Sequence, residues 1–151
     1  MAASVSGINE RFESSYRRLF GEDIASQGDE AFFQDFYDRF FSHSEETRSM
    51  FRNTDMAHQR TALRRSLFDL VTFYATGIVS ARLRRIAQVH QDLHFRPELY
   101  DVWLDALISC VEEHDPACDE MTSLAWRLAL TPGVTYMKLW HQTDISPLDG
   151  P

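Results

Sequence analysis

Six histidines stand in this chain, at positions 43, 58, 90, 94, 114 and 141. Imidazole is the side chain best suited both to ligate a metal and to move a proton near neutral pH. Spacing separates these residues. His43, His58, His114 and His141 are not paired with one another at i and i+4, and the chain holds no HExxH or CxxC motif. His90 is different. It shares a mostly apolar helical face with Leu83, Ile86 and Ala87, and His94 follows one turn later. A histidine so placed is either a metal ligand or a partly buried polar residue, and spacing alone leaves both open. Glu112-Glu113-His114-Asp115 reads as a solvated helix end, with weak cation binding as the sharper alternative. No glycine-rich phosphate loop and no Ser/His/Asp set is recognisable. A cofactor asks less of the sequence than a protein-only metal centre, because one axial histidine holds a haem iron.

The elements that must position these residues are helical. Only 6 Gly and 5 Pro punctuate 151 residues, and apolar residues recur at spacings of three and four. A first amphipathic helix is predicted from about Gly7 to Phe20, ended by Gly21. A second opens after Gly28-Asp29-Glu30 and carries Phe32, Phe33, Phe36, Tyr37, Phe40 and Phe41 as one wide stripe. Ser44 reads as the cap of a short helix to about Arg52, and Asp55 as the cap of a long one to about Ala75. After Gly77 a helix is predicted from Ser80 to about Leu93. Pro97 and Pro116 both read as first-turn prolines of the helices that follow. Pro132-Gly133 lies inside the last helix, where proline is expected to kink or break it. About seven helices and no strand result.

Composition narrows the class. With 44% hydrophobic and 25% charged residues, the chain suits a single globular domain over 1–151, with short flexible ends at about 1–6 and 143–151. A net charge of −8 argues against nucleic acid and against anionic membrane surfaces as partners. Charges interrupt every stretch long enough to span a bilayer. Cys110 and Cys118 form neither a disulfide framework nor a zinc site, and Met1–Glu10 has no secretory pattern, so a cytoplasmic location is expected. Arginines cluster at 60, 64 and 65 and at 82, 84 and 85. They read as solvated helix faces, or as groups that meet the carboxylates of a small ligand.

Three segments carry a family likeness. Phe36-Tyr37-Asp38-Arg39-Phe40-Phe41 leads to Ser49-Met50-Phe51; Gln59-Arg60-Thr61-Ala62-Leu63 follows; then comes the run from Ile86 through His90 to Tyr100. Over about Phe12 to Leu139 the chain resembles bacterial three-over-three globins, namely single-domain haemoglobins and the globin domain of flavohaemoglobins. The resemblance implies an all-α globin fold around a pocket for haem b and its iron. It makes His90 the proximal iron ligand, Phe51 the residue that wedges the haem, Tyr37 and Gln59 the distal donors, and Leu63 the apolar closure over the ligand. Tyr100 becomes a proximal tyrosine that supports the histidine. His94 and Arg96 are the expected propionate partners, with a surface role as the alternative for each.

The implied function is reversible binding of O2, with NO and CO as further ligands, in oxygen carriage, storage or sensing through a signalling partner. The alternative is an enzyme, an NO dioxygenase served by a separate reductase. The chain departs from the flavohaemoglobin pattern in one place: residues 131–151 contain no glutamate to complete the proximal side. His58, adjacent to Gln59, offers a second imidazole if the distal helix is shifted by one residue.

Overall fold

The computed structural model describes residues 5–21 and 30–142. Of the ends expected at about 1–6 and 143–151, residues 1–4 and 143–151 lie outside them, as does Gly28-Asp29, while residues 5 and 6 belong to the first helix. Among the described residues seven helices run in order: α1 (Val5–Phe20), α2 (Glu30–Phe41), α3 (Glu45–Met50), α4 (Met56–Thr76), α5 (Ala81–Asp92), α6 (Glu98–His114) and α7 (Glu120–Gln142). Among the described residues there is no strand, and no helix is long and apolar enough to cross a membrane.

Local chemistry sets most of the boundaries. The Ser44 side chain accepts from the Thr47 N–H, Asp55 from Ala57 and His58, and Ser80 from Leu83. Each satisfies donors that a helix start leaves free. Gly21 and Gly77 close α1 and α4 at φ 77° and 72°, where a side chain would be strained.

Two expectations are corrected. Asp115-Pro116 does not start α7. The Asp119 carboxylate is the cap there, accepting from the Thr122 N–H at 2.8 Å and its hydroxyl at 2.7 Å. Asp115 is instead buried at the end of α6. Its oxygens accept from Arg18 at 2.7 and 2.9 Å and from Ser15 at 2.6 Å, and Trp126 donates to Ser15 at 2.9 Å. Burial alone would raise the Asp115 carboxyl, but these hydrogen bonds outweigh it and hold the group below the usual range. The Asp-Pro signal thus marks a turn anchored to α1, through chemistry that spacing does not show. Nor does Pro132 break α7, which runs unbroken past it. Proline leaves the Leu128 carbonyl without a helical donor, but Leu128 is exposed, so water can serve it.

The core joins the aromatic stripe of α2 to α1, α6 and α7. Phe20 stacks on Phe33 at 5.4 Å and meets Phe32 edge-on at 5.0 Å, while Phe12 meets Trp126 edge-on at 4.7 Å. Helix α7 packs on α1, α4, α5 and α6. Its approach to α4 depends on Gly133. A Cβ there would overlap Leu70 Cδ2 and lie 3.3 Å from Leu70 Cβ and Cγ.

The end of α5 is equally specific. The Phe95 N–H donates to the His90 carbonyl at 3.1 Å and the His94 N–H to Gln91 at 2.9 Å. His94 takes φ 57°. These are the paired bonds of a Schellman turn, with His94 at the left-handed position that glycine normally fills. Such turns pack the residue after that position against the last helical turn, and here Phe95 meets the His90 ring at 5.3 Å.

Two stability changes are expected. Gly133→Ala should cost about 1–3 kcal/mol, the usual range for overpacking, and less than that when introduced into a Leu70→Ala background, where the side chain it meets is gone; chemical denaturation measures both. His94→Gly should relieve the left-handed strain and raise stability by about 0.5–1 kcal/mol. A melting temperature at or below that of the parent would show that the His94 side chain itself supports the fold.

Candidate functional site

Helices α2, α4, α5, α6 and α7 enclose a cavity of about 320 Å³. That is the lower end of the range for small-molecule and cofactor sites. Its walls are mostly apolar, built from Phe40, Leu63, Leu70, Leu83, Ile86, Trp103, Val134 and Met137 among others. The polar side chains in its lining are few: Tyr37, Gln59, Ser66, Arg82, Arg85, His90 and Tyr100.

His90 comes from the last turn of α5. Its Nδ1 lies 2.8 Å from the Ile86 carbonyl, one turn back. A carbonyl only accepts, so Nδ1 carries the proton and Nε2 keeps a free lone pair. Burial pushes the His90 pKa down, against the opposing pull of that hydrogen bond, and this favours the neutral ring a metal ligand needs. Phe95 and Tyr100 flank the ring, at centroid distances of 5.3 and 6.1 Å. The helix carrying it is tied to α7 by the residue next along. Trp140 Nε1 donates to Gln91 Oε1 at 2.8 Å, and Gln91 Nε2 donates back to the Trp140 carbonyl at 3.4 Å.

Tyr37 and Gln59 meet although they are 22 residues apart. Gln59 Nε2 donates to Tyr37 Oη at 3.1 Å. The tyrosine oxygen is thereby used as an acceptor, and its own proton is available for another acceptor. Burial pushes the Tyr37 hydroxyl up to about 12, so it keeps that proton at neutral pH. Leu63, one turn after Gln59, is buried and lines the same space. Phe51 caps the C-terminal end of α3 and packs on Tyr37 at 5.6 Å and Phe41 at 5.3 Å. Thr47 sets that corner. Fully buried, it donates to the carbonyls of Phe40 at 2.9 Å and Ser44 at 2.8 Å, which fastens α3 to the end of α2.

Six of the residues singled out from the sequence therefore share one cavity: Tyr37, Phe51, Gln59, Leu63, His90 and Tyr100. His94 and Arg96 do not. They line a shallow surface depression with Asp92, Pro97 and His141, and Arg96 pairs with Glu46 at 2.7 Å. The left-handed turn at His94 ends α5 before another helical turn could extend the face that carries His90. His58 lies exposed in the first turn of α4 and is not among the cavity residues, so the register places Gln59 there instead.

Other lining residues went unassigned in the sequence. Arg82 and Arg85 belong to a cluster whose composition did suggest carboxylate binding, but not which members face inward. Arg82 also stands 3.8 Å from the carboxylate of Asp69, a buried group whose pKa is raised by desolvation. His141, outside the cavity lining, carries no local signal, because its partner, Tyr100 Oη at 2.9 Å, is 41 residues away. Among the described residues, no group of three or more His, Cys, Asp or Glu is arranged to hold a metal ion.

No family model matches the chain. It is 31% identical over 103 residues to a flavohemoprotein of Vibrio cholerae, covering 64% of this chain and 25% of that protein. It is 35% identical over 114 residues to a flavohemoprotein of Rhizobium meliloti, covering 70% and 27%. The chain thus spans about a quarter of the length of these relatives. A crystal structure from Pseudomonas aeruginosa, of a protein described as structurally highly homologous to a human hemoglobin, superposes with a TM-score of 0.76 at 38% identity, over 89% of this chain and 98% of that one. Similarity over nearly the whole of that structure, together with the all-helical fold of the described residues, shows that the chain belongs to the globins, as a bacterial member related to the globin domains of flavohemoproteins.

Proposed function

We propose that the cavity binds one haem b, with Nε2 of His90 as the proximal ligand to iron, and that the chain binds O2 reversibly. The observation that carries this reading is the His90 ring itself: neutral, with Nδ1 held by the Ile86 carbonyl and Nε2 left free in an apolar cavity. A metal-bound histidine ordinarily donates its other ring N–H to an acceptor in this way. The chain has no CxxCH run for covalent attachment, which favours haem b. When bound, the haem supplies an iron that ligates diatomic gases.

The remaining residues are suited to hold and discriminate. Phe51 and Leu63 pack on a flat apolar group and exclude water. Arg82 and Arg85 replace His94 and Arg96 as the propionate partners, since they are the cations at the cavity. Gln59 holds the Tyr37 oxygen and leaves its proton free for a ligand that carries partial negative charge. Such a donor favours O2 over CO. NO and CO are further ligands. Free thiols at Cys110 and Cys118 suit a reducing compartment, and a cytoplasmic location is part of this reading. The alternative is NO dioxygenation with a separate reductase; the relatives' name, flavohemoprotein, pairs a haem with a flavin, a group that passes electrons. Consumption of NO by the oxygenated protein, faster with an added reductase, distinguishes it from carriage, storage or sensing.

Absorption spectra of the purified protein in ferric, ferrous and O2-treated forms test haem binding directly. His90→Gly should lose normal haem retention and regain it with added imidazole; a wild-type ferrous spectrum without imidazole would overturn the assignment. Tyr37→Phe should speed O2 release by roughly 10- to 100-fold, since a hydrogen bond to a charged group contributes about 1.5–3 kcal/mol. CO release should change much less. Equal O2 release from both proteins in stopped flow would leave Tyr37 as a core aromatic only.

A further inference from the structure

From Leu124 to Leu139, every exposed residue of α7 is a leucine or a threonine. Leu124, Leu128 and Leu139 are 50%, 41% and 52% exposed, and Thr131 and Thr135 lie between them with half-buried Pro132. At about 3.6 residues per turn these six positions share roughly 100° of arc and extend about 22 Å. The solvent face of a helix ordinarily carries charge. Here the two cations beside the stripe are turned onto α6 and neutralised there. Arg127 lies 2.9 Å from the Asp105 carboxylate and Lys138 2.9 Å from that of Asp101. Thr131 donates its hydroxyl to the Arg127 carbonyl one turn back, so its methyl group is what the surface presents.

The stripe reads the same in both directions. Successive steps along Leu124, Leu128, Thr131, Pro132, Thr135 and Leu139 are four, three, one, three and four residues. Two copies of α7 laid antiparallel about a two-fold axis between Thr131 and Pro132 set Leu124 of each against Leu139 of the other, and Leu128 against Thr135. Such self-complementarity is what an isologous contact requires, because every residue pair is made twice. The same register answers the backbone. Pro132 leaves the Leu128 carbonyl without a helical donor, and Thr135 of the facing copy brings a hydroxyl to it. Among the described residues that hydroxyl has no other partner. The axis also brings the Arg127–Asp105 pair of one copy nearly level with the Lys138–Asp101 pair of the other, on the same edge, so that cations meet carboxylates across the rim as well as within each chain. With a net charge of −8, two copies repel each other in general, and this neutral face is where they can approach.

We propose that the exposed stripe of α7 is the interface of a two-fold symmetric homodimer, with the helices antiparallel and centred on Thr131 and Pro132. The occupant of the face is a second copy of this chain. The dimer does not depend on what the cavity binds. A contact built on one helix pair is at the small end of specific interfaces, so its formation follows protein concentration.

Sedimentation velocity of the full chain over a series of concentrations reads the association. Wild type should pass from monomer to dimer as concentration rises. Leu124→Glu and Leu139→Lys should each weaken the dimer about tenfold or more, since a two-fold contact carries the substitution twice. An equimolar mixture of the two variants should associate again, more tightly than either alone, because the antiparallel register sets the new glutamate against the new lysine and leaves the other Leu124–Leu139 contact intact. Ile78→Glu removes a residue that is 69% exposed and lies off α7, and it should change nothing. Circular dichroism checks that each variant is folded. A wild type that stays monomeric throughout would overturn the proposal. So would a dimer indifferent to both α7 substitutions, an equal loss in Ile78→Glu, or a mixture no more associated than its components.

Discussion

The hydrogen bond from His90 Nδ1 to the Ile86 carbonyl is the contact on which the arrangement of the site depends. A buried imidazole has two nitrogens, and leaving either without a partner is costly. By satisfying one from its own helix, α5 leaves the other aimed at a cavity without strain on the ring. Much of the surrounding structure keeps this bond in place. The Schellman turn sets Phe95 against one side of the ring, Gln91 ties the helix to Trp140, and Tyr100 closes the adjoining wall. The price is a non-glycine residue in left-handed geometry at His94.

Polarity within the cavity is arranged by the same economy. Tyr37 and Gln59 satisfy each other in one direction only, so one donor stays available. Tyr100 is held by His141. The cations at the cavity come from the N-terminal half of α5, and its histidine comes from the other end of the same helix. A single twelve-residue helix therefore carries both the neutral and the charged contacts, separated along its axis.

Much of this was legible in the sequence, because it rests on local rules. Ser44, Asp55, Ser80, Gly21 and Gly77 mark helix ends through chemistry confined to a few residues. The three- and four-residue spacing of α2 placed Tyr37 on the buried stripe, and the resemblance put Phe51, Gln59, Leu63 and Tyr100 in register with His90. What could not be read depended on contacts distant in the chain or on backbone geometry. Asp115 looks like a helix cap until Arg18 and Ser15 are seen to meet it. His94 looks like a second residue on the face of His90 until the left-handed turn removes it. Arg82 and Arg85 could not be separated from Arg84 by composition. His141 carried no local signal, since its meaning comes from a hydroxyl on another helix.

Leu70 belongs to two surfaces at once. It lines the cavity and occupies the space that Gly133 leaves open between α4 and α7. The width of the pocket at that point is therefore a mechanical setting, fixed by how closely two helix backbones approach. A bulkier guest cannot be admitted there by rotating one side chain, because the space behind Leu70 ends at backbone. The two longest helices would have to separate. The pocket should respond to guest size with a threshold rather than a gradient, rigid up to the limit set by a glycine and yielding beyond it only as the fold itself opens.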